Sequence, residues 1–538
     1  MTQTEDKFLP YLSYGAFMCI MLALVPWAMH FVSYAINVDI AFLTLSAERL
    51  LEGQAMSEAY YDTNPPLSII VQVPAALIAQ FTPIPLYYAT TLYIFILLGL
   101  SLLASNLLLK KMGNISIAQR YIILAIFLVI NTIETQYDFG QKDHILAMGL
   151  FPLILVQILI TIRVEFNKIL KWSTLLCGAF LILLKPHYGL IPAAIFIHRM
   201  VYQKRFNIFL DQDFICLAGM AIGYVAAIFL FFPDFISIIL PDILKFYASD
   251  ISPQVIETGI ILMVQAAIPL IICQIFLKEA PPLISIFAVF SILSFVPFIM
   301  QGKGWAYQAL PANVFFYCSV GLFISYLTTL TLDAFKISAI KQTAGLLVVF
   351  GVLLFSISEN YAKDFTPPTH DSYKNTQFAK MINACQGDCS FLILHDMINM
   401  SQELSVYTGQ PHASRFPTMW FAAFLLNAQR KLDDHETPQF TQEEIDAATQ
   451  KYTTMIAEDL KKYAPDIIFV GLVPNPAKEG TLFDFHAYLL EKNPKQFQTI
   501  WDSYTLAESI DVDRLDYMMR KKPNEGLIRY DIYRKKKQ

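Results

Sequence analysis

Long apolar runs separated by short polar breaks fill the first two thirds of the chain, beginning near Tyr11, Leu86, Ile117, Ile145, Phe214, Thr258, Pro282, Ala312 and Thr343. A hydrocarbon core of roughly 30 Å takes about 20 helical residues to cross, so each run predicts a membrane-spanning helix. Over 172–200 a longer apolar stretch is interrupted by Lys185, Pro186 and His187, which predicts a hairpin of two short helices. Counting that hairpin, the crossings come to about eleven by the length criterion. After Tyr361 the pattern changes: charges and prolines rise, and apolar runs shorten to strand length. Segments 391–395, 466–471, 497–504 and 527–533 predict strands, and 443–462 has helical period. The expected fold is a polytopic α-helical membrane domain over 1–360, with a C-terminal extracytoplasmic α/β domain over 361–538. No internal repeat is visible, which speaks against an inverted-repeat transporter.

Charge sets the sidedness. Excess Lys and Arg marks cytoplasmic loops, and the basic clusters are Lys110 with Lys111, Arg163 with Lys168 and Lys171, Arg199 with Lys204 and Arg205, Lys278, and Lys336 with Lys341. All five share one side only if the borderline run from Leu67 to Phe81 does not cross and the chain turns back at Lys185. That run, with Gln72, Pro74 and Gln80, is then an interfacial helix. With the N-terminus in the cytoplasm, an odd number of crossings puts the C-terminal domain in the periplasm of a bacterial inner membrane. The outer loops become 36–85, 134–143, a tight turn at 185–187, 233–257 and 301–311.

Composition agrees with a lipid solvent. Hydrophobic residues make up 55% and charged residues 15% of 538, and mean hydropathy is +0.47, too few charges to solvate a globular surface of that size. The net charge of -5 and the scattering of basic residues exclude a nucleic-acid stripe. Cys19, Cys177, Cys216, Cys273 and Cys318 sit in apolar runs as small hydrophobes. Cys385 and Cys389, alone in the polar tail, can close a small disulfide loop if that tail is periplasmic. The first apolar run is too long for a signal-peptide core and is expected to remain as an anchor.

The chemistry gathers in the outer loops. The first opens with Asn37-Val38-Asp39 and continues into a helix with Ile40, Leu43, Ala47 and Leu50 on one face and Thr44, Glu48 and Glu52 on another, suited to the membrane surface. A carboxylate at Asp39 can also be simply an N-cap. The loop then runs Tyr60-Tyr61-Asp62-Thr63-Asn64-Pro65-Pro66-Leu67, and the second outer loop carries Asp138, Lys142, Asp143 and His144. Several carboxylates at one membrane face can hold a divalent metal ion and supply a general base. The plainer reading of the second loop is a solvated turn, with Asp143 and His144 starting a helix.

These residues resemble a known family. An Asp in a helix just after the first membrane helix, then a Tyr-rich stretch ending in an acid and Pro-Pro-Leu, is similar to the first periplasmic loop of GT-C glycosyltransferases, in particular the protein mannosyltransferase and aminoarabinose transferase superfamily. The acids at Asp138 and Asp143, the Leu184-Lys185-Pro186 turn and the Gln301-Gly302-Lys303-Gly304-Trp305 loop are similar in order. The resemblance implies a polyprenyl-phosphate sugar donor and a lipid, glycan or protein acceptor, with Asp39 as catalytic base and Tyr61 against the substrate. It implies that Asp62 binds metal or substrate, with Asp138, Asp143 and His144 completing a metal set. The chain departs from the aminoarabinose transferase pattern at Thr63-Asn64, where a Lys precedes the proline. Lys142, Lys185 and Lys303 are the candidates for the missing phosphate cation, since an ammonium neutralises a phosphate as a point charge; each can instead snorkel to the interface.

In the tail, His395 with Asp396, and His412 with Arg415, are within reach of an acceptor or are ordinary strand-end and loop residues. Gly302 to Gly304 lacks P-loop spacing. The alternative to a transferase is a transporter or flippase of a lipid-linked saccharide, which would place ionisable groups at mid-membrane depth; only Lys185 interrupts a long apolar stretch.

Overall fold

The computed structural model describes residues 5–113, 115–247, 252–335, 341–362, 368–385, 387, 389–395, 401–434, 440–475, 481–513 and 527–536. Lys336 and Asp396 lie outside these. The chain forms two compact units. The first comprises Met1–Val32, Thr91–Phe231 and Ala248–Thr366; the second comprises Ser33–Thr90, Phe232–Tyr247 and Pro367–Gln538. The 36–85 loop, expected as part of the membrane domain, therefore shares a unit with the C-terminal residues.

Among the described residues, eight helices are long and apolar enough to cross a membrane, which makes this a multi-pass membrane protein. They are Phe8–Ser33, Leu86–Leu109, Lys142–Thr161, Gln212–Phe231, Pro253–Ile275, Pro282–Gln301, Ala306–Ala334 and Lys341–Asn360. The expected count of about eleven included three helices that are shorter: Ile117–Ile130, Lys168–Ile182 and Leu190–Gln203. At 1.5 Å per residue these rise only about 21 to 22 Å, less than the hydrocarbon core. The Leu67–Phe81 run is broken as well, into Leu67–Ile70 and Val73–Phe81, so neither piece can cross.

In the first unit the Lys142–Thr161 helix is central: 89% of its apolar window is buried, against 6% for Gln212–Phe231, whose surface is left to lipid. Phe127 and Phe151 stack at 4.8 Å and Phe151 meets Phe315 at 5.6 Å. The same helix reports the direction of the hairpin. Asp143 at its N-terminal end meets Lys185, whereas Gln157 and Thr161 at its C-terminal end receive Arg199 at 2.6 and 3.3 Å, so the chain does turn back at Pro186. Fourteen residues, about 21 Å of helix, separate Asp143 from Gln157. Arg199 is fully buried and also pairs with Asp213 at 2.8 Å. Ionisable groups thus cluster at the two ends of the central helix.

Close approach fixes the hairpin's first leg. A Cβ on Gly178 would lie 2.7 Å from Leu153 Cβ and 3.1 Å from the Gly149 carbonyl, and one on Gly149 would lie 2.7 Å from Leu181 Cβ. Small residues at such crossings let membrane helices touch. Gly178→Val is expected to overpack this contact by about 1–3 kcal/mol. Thermal unfolding in detergent checks it: a lowered midpoint is expected, and an unchanged one means the helices have room.

The second unit holds a mixed five-stranded sheet built from β1 (Phe391–Leu394), β2 (Ile467–Pro474), β3 (Leu482–Asp484), β4 (Tyr504–Asp513) and β5 (Leu527–Lys535). The order is β1-β2-β5-β4, with β1 parallel to β2, the β2–β5 and β5–β4 pairs antiparallel, and β3 antiparallel to the end of β2. β1, β2, β5 and the Gln442–Tyr463 helix match expectation. The 497–504 strand does not: Pro494–Trp501 is a helix, opened by Pro494 and burying Phe497, Ile500 and Trp501 at helical spacing. The sheet's core runs into the first loop, since Ile36, Ile40 and Ala41 join Phe378, Phe391, Leu404, Ile467 and Ile532 in one buried cluster. The sulfurs of Cys385 and Cys389 are bonded, with Cα atoms 5.7 Å apart.

Candidate active site

In the second unit, Asp39 stands in the first turn of the Val38–Leu51 helix. Asn37 is the N-cap, its Oδ1 accepting the Asp39 N–H at 2.9 Å, so the capping alternative for Asp39 is overturned by a residue two positions earlier. Val38 and Ile40 are buried while Asp39 is half-buried, which leaves a carboxylate reaching the edge of an otherwise enclosed turn. The helix was expected to lie along a surface. It is instead buried on more than one side: Thr44 is enclosed with Ile40, Leu43 and Ala47 and donates to the Ile40 carbonyl at 2.6 Å.

Asp62 is buried and accepts from Asn64 Nδ2 at 2.9 Å. Tyr61, expected against the substrate, is fully enclosed and gives its hydroxyl to Asp242 Oδ2. Asp242 also accepts from Lys451 at 2.7 Å and from Tyr452 at 2.9 Å, so one carboxylate ties together the unit's three chain segments. Burial and then the Asp242 hydrogen bond hold the Tyr61 phenol well above its usual range. Its place is structural.

Arg415 and His412 have equally plain roles. Arg415 Nε donates to Asp459 at 2.8 Å and Nη2 to Glu458 at 3.0 Å; burial alone would lower its pKa, but these two carboxylates outweigh that and raise it. The guanidinium also borders an open cleft of about 340 Å³ with Ser57, Glu58 and Lys462. His412 is enclosed, with Nδ1 3.2 Å from Gln402 Nε2, and burial, aided by Arg49, depresses its pKa to about 3 from 6.5. A histidine buried neutral stabilises the fold fully above pH 6.5, and that stability is lost as pH falls towards about 3, because the unfolded chain takes up the proton first. Denaturant unfolding followed between these pH values is expected to show the decline, and His412→Gln to flatten it. An identical slope in the variant would assign the acid sensitivity elsewhere.

In the first unit, the second-loop residues begin the Lys142–Thr161 helix, with Gln141 as its N-cap residue and Lys142, Asp143 and His144 all buried. Asp138 ends a short 3-10 turn just before it. The structure brings Asp143 to one of the three candidate lysines. Lys185 Nζ lies 2.6 Å from Asp143 Oδ2, also donates to Gln301 Oε1, and faces the Tyr307 ring at 5.8 Å. Asp143 is fully buried and Lys185 retains 12% of its side-chain exposure, so the ammonium sits at the rim with its counter-charge behind it. Lys142 is buried, and Lys303 is half-buried between Gly302 and Gly304, both at positive φ. Gln301 was visible as the polar end of an apolar helix; Tyr307 carried no such mark.

The expected metal set divides between the units, Asp62 in the second and Asp138, Asp143 and His144 in the first. Among the described residues no three His, Cys, Asp or Glu side chains group as metal ligands. Asp143 is committed to Lys185, and His144 Nδ1 accepts the Gly140 N–H at 2.9 Å.

The fold is that of a polytopic membrane protein with a small mixed-sheet unit. No protein-family model matches the sequence, and no curated protein matches it. Among solved structures, the chain is similar to ArnT from Cupriavidus metallidurans bound to undecaprenyl phosphate, at 12% identity and TM-score 0.44, over 73% of this chain and 84% of that one. It is also similar to the archaeal oligosaccharyltransferase AglB from Archaeoglobus fulgidus, in complex with an inhibitory peptide and a dolichol-phosphate, at 10% identity and TM-score 0.42, over 86% of this chain and 69% of that one. Likeness of this depth assigns no residue its role.

Proposed function

We propose that this protein transfers a sugar from a polyprenyl-phosphate carrier to a lipid, glycan or protein acceptor at the extracytoplasmic face of the membrane. The observation that carries the reading is the half-buried Asp39 carboxylate, set on a capped helix that immediately follows the first membrane helix and left out of the capping itself. As base, Asp39 takes the proton from the acceptor nucleophile as that atom bonds to the anomeric carbon; the bond from that carbon to the phosphate oxygen breaks, and polyprenyl phosphate leaves with the electron pair. A rigid helix start suits this role, because a general base must be held within hydrogen-bond reach of its proton.

In the first unit, Lys185 is the ammonium suited to a phosphate. Its rim position gives a charge to the anion, while Asp143 and Gln301 fix its direction. Lipid-anchored substrates need no aqueous entry, which fits a protein whose surface is largely apolar helix. Mass spectrometry of membrane lipids and glycans from cells with and without the gene tests the reading. A mass difference of one sugar on one class of acceptor is expected; identical profiles under conditions where the protein is made would contradict it.

A further inference from the structure

The chain that leads into the Asp39 helix is held by a buried network that the sequence motif does not account for. The chain entering the helix is held by the C-terminal part of the same unit. Tyr34 bridges Thr369, the Ala35 N–H donates to the Pro368 carbonyl at 2.8 Å, and the Ile36 N–H donates to Tyr407 Oη at 2.7 Å. Asn37, the N-cap, follows directly. Two of these three contacts are made by backbone and tolerate any side chain. The third depends on one hydroxyl.

That hydroxyl is itself held firmly. His370 Nδ1 lies 3.0 Å from Tyr407 Oη, the Tyr373 ring stacks on Tyr407 at 5.3 Å, and the Tyr87 ring meets it at 5.1 Å. Tyr373 in turn donates to the buried Glu403 at 2.9 Å, on the same Ser401–Thr408 helix that carries Tyr407 and packs on the Asp39 helix. Burial holds the Tyr407 phenol in its neutral form, well above its usual range, so the oxygen remains a hydrogen-bonding hydroxyl at working pH.

We infer that Tyr407 is a positioning residue for the transfer reaction: its hydroxyl sets the entry of the Asp39 helix and thereby where the Asp39 carboxylate lies. The inference rests on the reading of Asp39 as base. It gives the C-terminal segment a role in the chemistry that does not require it to touch a substrate. A helix shifted at its first turn would move the base relative to the acceptor, and displacements near 1 Å can cost about 100-fold in rate. Binding surfaces elsewhere would be unaffected.

Tyr407→Phe keeps the ring and removes the oxygen. In the purified full-length protein, kcat is expected to fall about 10- to 100-fold, with KM for donor and acceptor within about twofold. Amide exchange of the segment around Ile36 is expected to quicken. His370→Leu, which leaves the hydroxyl but removes the ring nitrogen beside it, is expected to give a smaller fall of the same kind, and serves if the first variant folds poorly. Asp39→Asn run alongside separates the failures. If Asp39→Asn abolishes transfer while Tyr407→Phe retains wild-type kcat and unchanged exchange, the positioning role is overturned and the base stands. If Asp39→Asn itself transfers normally, the base reading fails and Tyr407 has nothing to position. A rise in KM with kcat intact would also overturn the inference, since it would place Tyr407 in substrate binding.

Discussion

Asp39→Asn is expected to lower turnover by about 10²- to 10⁴-fold, the usual contribution of a general base, while the protein remains folded and inserted. The substitution is isosteric, so the half-buried position keeps its volume. The helix start is also preserved, because the cap belongs to Asn37 and the entry to Tyr407. What is lost is the ability to accept a proton. Turnover with a lipid-linked donor, measured beside the unfolding midpoint of the same preparation, checks both halves of the statement. Loss of transfer together with loss of the folded protein would return Asp39 to a structural role.

Lys185→Met is expected to have two separable effects. Asp143 is fully buried, and its counter-ion is 2.6 Å away; removing one partner of a buried pair leaves an uncompensated charge that typically costs about 3–5 kcal/mol. Gln301 loses its donor as well. A large fall in unfolding midpoint is therefore expected along with a loss of transfer. Combining Lys185→Met with Asp143→Asn removes the stranded charge and should restore much of the stability, since a buried pair can be replaced by neutral groups with little cost. Transfer should stay low in the double variant, because nothing replaces the cation at the rim. Recovery of both properties would make Lys185 a structural ion-pair partner and send the search for the phosphate cation back to Lys142 and Lys303.

The membrane helices and the turn at Lys185 were legible because bilayer thickness and proline chemistry act locally on the chain. Helix length was less so: an apolar run reads as a crossing, but Ile117–Ile130 stops at Asn131 and the two hairpin legs stop at Leu183 and Lys204, each short of a full crossing. In the C-terminal part, β1 and β2 are apolar runs buried on both faces and were readable as strands. β4 was not, because it is mostly exposed and carries Glu508, Asp511 and Asp513; its strand state comes from pairing with β5, a tertiary effect. Pro494–Trp501 was misread because a short apolar segment has too few residues to separate a helical from a strand period.

The site shows the same division. Asp39 stood out by its place after the first membrane helix, yet whether it or Asn37 caps that helix is a matter of backbone geometry. Tyr61 looked like a substrate residue because a buried phenol and a substrate-facing phenol are the same letter; its partner Asp242 lies 181 residues along the chain. Choosing Lys185 among three lysines needed Asp143 and Gln301 to be seen around it, at separations of 42 and 116 residues. No local pattern carries such information.

The central claim is that Asp39 drives sugar transfer from a polyprenyl-phosphate donor. Its most direct test is the release of free polyprenyl phosphate from a sugar-loaded carrier by the purified protein in detergent with acceptor present, wild type against Asp39→Asn. Acceptor-dependent release by the wild type, reduced by at least about 100-fold in the variant, is the predicted result. Equal release by both proteins, or none by a folded wild type across donors and acceptors, would contradict it.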